Sequence, residues 1–151
     1  MSPTRSDGPR PTRIEPPVTE ASAPFWDATR ERRLVLPWCL ACERAFWFPR
    51  EVCPRCLSSR IEWRQASGRG EVYAFTVEHR PTQLQAVFGD APYVIALVEL
   101  DEGVRLMSNV VGVATGGAAV GLTVTVTWEP MSDGRHLVLF TPTEDREDEP
   151  G

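Results

Sequence analysis

The sequence has no lysine, no cysteine outside one short window, and no apolar run long enough to cross a bilayer. The last absence excludes a helical membrane span, which takes about 20 consecutive apolar residues. The first 24 residues are rich in Pro, Arg and Ser and lack the apolar stretch of an export signal. A soluble, cytoplasmic chain is therefore expected, and a reducing cytosol would not maintain a disulfide framework. A phosphate-cradling glycine motif is also missing, since Gly116-Gly117 reads as a loose turn. No Ser or Cys is placed as an activated nucleophile. The two histidines, His79 and His136, fall near expected strand ends beside Arg80 and Arg135. Glu99, Asp101 and Glu102 gather at a hairpin, where solvated carboxylates are common. Nothing divides acid, base and nucleophile roles, so the chain reads as non-catalytic.

All 16 positive charges are Arg, set against 21 acids for a net charge of -5. Their distribution is uneven. Residues 1–66 hold eleven Arg and eight acids, residues 67–142 four and eight, and residues 143–151 one and five. Binding to phosphate backbones depends on clustered positive charge, and the acidic 67–142 segment has no basic stripe. Arginines gather only at Arg44, Arg50, Arg55, Arg60 and Arg64. Tyr73, Phe75, Tyr93 and Trp128 offer faces on which bases stack, but their alternating strand positions assign some or all of them to the core. A single-stranded nucleic-acid module is thus the alternative reading, not the leading one.

Along the chain, residues 1–23 contain five Pro and little that fills a core, which predicts disorder. Residues 24–33 read as a short helix, with Ser22 as N-cap, Pro24 in the first turn and Asp27 near the positive end of the dipole. So short a helix is marginal alone. Its apolar end, Phe25-Trp26, must dock on this chain's own barrel or on a partner. Short strands follow around the cysteines to residue 66. From Gly70 onward the pattern is β: Val72–Val77, Tyr93–Leu100, an Asp101-Glu102-Gly103 hairpin turn, Val104–Val111, then the strictly alternating Leu122–Trp128 and finally Leu137–Phe140. Residues 80–91 read as a loop and 112–121 as a flexible connection. Five strands with these connections predict a mainly β fold ending in a five-stranded OB barrel over 67–142, a generic antiparallel barrel or sandwich being the competitor. Residues 143–151 read as a disordered, solubilising acidic tail.

The sharpest feature is Cys39-Leu-Ala-Cys42, ten residues, then Cys53-Pro-Arg-Cys56. Each pair wraps a tight turn that aims two thiolates at one point, and the hairpin between them brings the two turns together. Four thiolates in a tetrahedron suit structural Zn²⁺ with no open coordination position. They also suit iron in a rubredoxin-like site, but nothing else in the chain suggests electron transfer. Glu43 and Leu57 follow the second Cys of each pair, where a left-handed conformation would favour Gly.

These features occur in one linear order: the Phe25-Trp26 helix, a ribbon ending Cys53-Pro54-Arg55-Cys56, Trp63, then Ser67-Gly68-Arg69-Gly70-Glu71-Val72-Tyr73. Pro92-Tyr93-Val94, Val98-Glu99-Leu100-Asp101-Glu102-Gly103 and Val138-Leu139-Phe140-Thr141-Pro142 complete it. In this order the chain resembles the acyl-CoA-associated zinc-ribbon/OB-fold family over residues 24–142, with a rubredoxin-like zinc ribbon at 24–66. Glu43 and Leu57 depart from that family's glycines. The resemblance implies a non-catalytic accessory subunit of thiolase-like enzymes (thiolases or aldolases, steroid side-chain breakdown included) or of hot-dog-fold enoyl-CoA hydratases. It further implies CoA or acyl-CoA as a ligand. On that reading the Phe25-Trp26 helix and the ribbon face are the expected docking surface, aromatic and Arg side chains being common interface anchors.

Overall fold

A computed structural model describes residues 15–79 and 92–144. Helix α1 spans Ala23–Arg30 and is followed by β1 (Val35–Cys39), β2 (Arg44–Ala45) and β3 (Ile61–Gln65). Five longer strands come next: β4 (Arg69–Glu78), β5 (Tyr93–Leu100), β6 (Arg105–Val110), β7 (Thr123–Pro130) and β8 (His136–Pro142). The first three strands form a small antiparallel sheet of order β2-β1-β3, and the other five close into a barrel of order β4-β5-β6-β8-β7. All barrel pairings are antiparallel except β6 with β8, which meet in parallel at Val110 and Phe140. That order, in which the last strand is inserted between the third and fourth, is the OB arrangement of a small Greek-key barrel. Among the described residues no helix is long and apolar enough to cross a membrane.

Alternation builds the barrel. Along β5, Val94, Ala96, Val98 and Leu100 are buried while the residues between them are half-exposed. Val124 of β7 and Phe140 of β8 are fully buried opposite them. The hairpin expected at Asp101-Glu102-Gly103 forms, and Gly103 takes φ 83°. The 112–121 connection, read as flexible, contains a 3-10 turn at Thr115–Gly117.

Ribbon and barrel share one core. Leu34, Leu36, Ala45 and Ala66 pack in the same cluster as Val72, Val98, Val124 and Phe140. The link between the two parts is correspondingly tight. The Ala66 N–H donates to the Leu34 carbonyl at 2.8 Å. The Ser67 N–H donates to the Glu102 carboxylate at 2.6 Å. Gly70 lies so close to β5 that any Cβ there would collide with the Glu99 carbonyl.

Helix α1 stops at Arg30, three residues short of the expected end, for a local reason. Arg32 is left-handed at φ 55°. The Arg33 N–H reaches the Ala28 carbonyl, and the Arg32 N–H reaches that of Thr29, each at 3.0 Å. This pair of bonds is the Schellman termination, which usually employs Gly at the left-handed position. Ser22 occupies the N-cap position, but its hydroxyl accepts from the Thr19 N–H instead of capping the helix. No acid lies in the first turn, so Asp27 does not serve the dipole there.

The helix is seated on this chain. Phe25 is 5% exposed and meets Trp47 edge-on at 5.0 Å. Thr29 is fully buried; its hydroxyl donates to the Trp26 carbonyl at 2.6 Å and accepts the His136 N–H at 3.2 Å. Residues 15–22, assigned by composition to the disordered segment, lie against the turn between β7 and β8. The Glu15 carboxylate accepts both the N–H and the hydroxyl of Ser132, at 2.7 and 2.8 Å. The Pro16 carbonyl accepts from Arg135 at 2.9 Å. Composition sees few apolar side chains in this stretch, whereas polar contacts hold it. Residues 1–14, the 80–91 loop and most of the acidic tail lie outside the described residues.

Candidate metal centre

The first cysteine pair sits where β1 hands over to β2. Cys39 pairs with Arg44 on one side and Ile61 on the other, so the strand that carries it is held from both edges. The Leu40 N–H donates to the Arg60 carbonyl at 3.0 Å and fixes the start of the turn. In the second turn the Cys53 N–H donates to the Ser58 carbonyl at 2.8 Å, and the Leu57 N–H to the Cys53 carbonyl at 2.9 Å. Closing both turns requires left-handed residues: Glu43 adopts φ 56° and Leu57 φ 63°. These are the two positions that the sequence marks as wanting Gly.

The four Sγ atoms of Cys39, Cys42, Cys53 and Cys56 all lie within 4.8 Å of one another. The separation between Cys39 and Cys56 is 3.6 Å, and that between Cys42 and Cys53 is 3.9 Å. A tetrahedron with Zn–S bonds of about 2.3 Å has edges of about 3.8 Å, so the sulfurs already stand where the ion needs them. None is in a disulfide. Cys39 and Cys53 are buried in a small cluster with Phe46, while Cys56 is exposed. Backbone amides supply further support, Cys42 N–H to the Cys39 sulfur at 3.3 Å and Arg55 N–H to that of Cys53 at 3.4 Å. Without an ion, the Cys56 backbone N–H, aided by that of Arg55, lowers the Cys53 thiol to about 6 against its burial. Hydrogen bonding with the Cys56 thiol, then burial, pushes Cys42 up to about 12. The set thus holds one sulfur that is anionic at neutral pH and others that share protons, which a divalent cation would displace. With four protein ligands, such an ion has no position left for substrate.

The other candidate groups are dispersed. His136 places Nδ1 2.7 Å from the Thr29 carbonyl and its ring edge-on to Trp128, so it fastens β8 to the helix. His79 follows the end of β4 and is not brought near His136 by any observed contact. Glu99 pairs with Arg105 at 3.2 Å. Glu102 is not a solvated hairpin acid: one oxygen takes the Ser67 N–H, and the other is buried without a hydrogen bond. Of the docking residues expected from the sequence, Phe25 is in the core and Trp26 is half-buried, with the Arg135 guanidinium 4.9 Å from its ring. The aromatic residues assigned to the barrel core are more exposed than expected. Tyr73 is 47% exposed beneath the Arg105 guanidinium, 3.6 Å from its ring, and Phe75 is 37% exposed.

Comparison with known proteins places this arrangement. Residues 26–62 match the family model for the rubredoxin-like zinc ribbon domain of ChsH2, and residues 63–129 that for its C-terminal OB-fold domain. A DUF35 domain-containing scaffold protein of Methanocaldococcus jannaschii is 33% identical over 102 residues, covering 66% of this chain and 70% of that protein. The chain belongs to the ChsH2/DUF35 family. Another relative, the probable enoyl-CoA hydratase alpha subunit of Thermomonospora curvata, is 35% identical over 140 residues, or 93% of this chain. This DUF35 chain spans 43% of that relative's length. Among solved structures, a chain of an Ltp2-ChsH2(DUF35) aldolase superposes with a TM-score of 0.76 and 35% identity, covering 85% of this chain and 98% of that one. The ribbon model ends within β3, yet in the structure all of β3 pairs with β1 in the ribbon sheet.

Proposed function

We propose that this DUF35 chain is a non-catalytic accessory subunit, acting in the cytoplasm, that binds and stabilises a thiolase-like or hot-dog-fold hydratase enzyme of acyl-CoA metabolism. The observation that carries this reading is the match to 98% of a chain of an Ltp2-ChsH2(DUF35) aldolase. The hydratase alpha subunit points to the same metabolism, although the activity in its name is not carried over to a chain spanning 43% of it. A closed four-thiolate site holding structural Zn²⁺, joined to a barrel through one core, suits a rigid scaffold. Phe25 anchors α1 to that scaffold, and Trp26 with the ribbon face remains the helix's contribution to docking.

Contact with CoA or acyl-CoA belongs to the same proposal. Its candidate location is a cleft of about 330 Å³ between ribbon and barrel, lined by Trp38, Arg44 and Arg55 together with Glu43 and Glu102. There the two guanidinium groups would meet phosphate oxygens. Co-purification from the native host with a thiolase-like or hydratase subunit tests the partner. A chain that stays monomeric and alone beside the products of its genomic neighbours refutes it. Calorimetry with acetyl-CoA, on the chain alone and in complex, tests the ligand: heat of binding lost in an Arg44→Ala/Arg55→Ala variant supports the cleft, and no heat in either state removes it.

A further inference from the structure

The outer face of β4, β5 and β6 does not follow the pattern of a solvated barrel wall. With Val94, Ala96, Val98 and Leu100 buried, the side chains that β5 turns outward are Tyr93, Ile95, Leu97 and Glu99. Cross-strand partners share a face. The register therefore sets Ala74 and Met107 on either side of Leu97, and Thr76 and Asn109 on either side of Ile95. Met107, at the centre, is 72% exposed. A shallow depression of about 170 Å³ opens here, floored by Ala74, Ile95 and Leu97 and walled by Met107 and Phe75.

The ends of this patch are charged in one sense. At one end the register aligns Glu71, Glu99 and Arg105 across the three strands, and at the other Glu78 stands opposite Tyr93. Arg105 is engaged by Glu99 at 3.2 Å and by the Tyr73 ring. An apolar centre thus lies between carboxylates separated by seven residues of β4, roughly 23 Å at strand rise. A second copy of this chain laid antiparallel on the face would bring Glu71 and Glu99 over Glu78, like charge on like charge. A nucleic-acid strand would meet the same acids. A partner with an apolar patch flanked by cations has neither conflict.

Resting on the functional reading above, we propose that this face is a docking surface for the partner enzyme, which presents an apolar patch with Arg or Lys at both ends. Such charges set register and speed encounter, while the apolar centre supplies affinity. Three strands over this length cover roughly 10 by 23 Å. That is less than the ~800 Å² per side of a standard interface, so the patch is the anchor of a wider contact.

The test uses the zinc-loaded full chain and the subunit it co-purifies with. Met107→Glu and Glu71→Arg alter exposed side chains, so unchanged circular dichroism and zinc content establish folding. Each is expected to weaken the complex about tenfold or more, and Glu71→Arg also to flatten its salt dependence. Oxidation of Met107 to the sulfoxide by hydrogen peroxide should slow in the complex. Wild-type complex formation with both variants binding normally and Met107 still oxidised freely overturns this surface and leaves the functional reading standing. Self-association of the wild-type chain abolished by Met107→Glu overturns it in favour of a second copy. Capture of no enzyme subunit by the wild-type chain overturns both.

Discussion

Three residues with side chains stand where the backbone calls for glycine: Arg32, Glu43 and Leu57, at φ 55°, 56° and 63°. For an L-residue the left-handed region costs about 1–2 kcal/mol through the clash of Cβ with the following carbonyl. Glycine removes the clash but adds about 0.5–1 kcal/mol of backbone freedom to the unfolded chain. Substitution to Gly should therefore stabilise by about 0.5–1 kcal/mol at each site. At a size of about 150 residues that amounts to about 2–4 °C in melting temperature. Leu57 is the cleanest site because its side chain is 74% exposed and gives up little burial. The decisive comparison is Leu57→Gly against Leu57→Ala. Alanine discards the same exposed apolar atoms yet keeps Cβ, so it should leave stability nearly unchanged. The assay is thermal unfolding of the zinc-loaded chain, paired with chelator competition, since the Leu57 N–H closes the second cysteine turn onto Cys53. Equal melting temperatures for the Gly and Ala variants, or a lower one for Gly, would refute the strain argument.

Three further outcomes are expected. Chelation of the metal or Cys39→Ser should unfold the ribbon, because structural zinc supplies about 10–16 kcal/mol of folding free energy in isolated fingers; proteolysis within 39–62 after chelation, and one zinc per chain by elemental analysis, check this. Phe140→Ala should cost about 3–5 kcal/mol in urea unfolding, since its fully buried ring lies at the seam where β8 meets both β6 and β7. The Arg135 guanidinium, by hydrogen bond foremost, holds the Asp133 carboxyl below its ordinary 3.8. The folded form binds that proton less readily than the unfolded one, so its stabilisation is present above 3.8 and fades as pH falls through the lowered value. Asp133→Asn should flatten that part of the acid-unfolding profile.

What was legible in the sequence followed from local rules. The Cys39–Cys56 spacing announced the metal site, the alternation of β7 announced a half-buried strand, and Asp101-Glu102-Gly103 announced its hairpin. Even the strain at Glu43 and Leu57 was readable, because a four-thiolate knuckle dictates its own backbone. Other features were misjudged because they depend on distant contacts. Phe25 offered itself equally to a partner and to this chain, and only its packing on Trp47 decided between them. Glu102 resembled any hairpin acid until the Ser67 amide was found against it. The outward apolar face had one unread signal: β5 is apolar at both parities, so one set of its side chains had to lie outside.

By itself the sequence determined the ligand set, the strand count and the closed chemistry of the site, since each depends on residue type and short spacing. Tertiary structure alone decided that ribbon and barrel share a core, that the helix spends Phe25 internally, and which apolar side chains stay uncovered. Those outcomes turn on the register of strands far apart in the chain, where a shift of one residue exchanges buried for exposed.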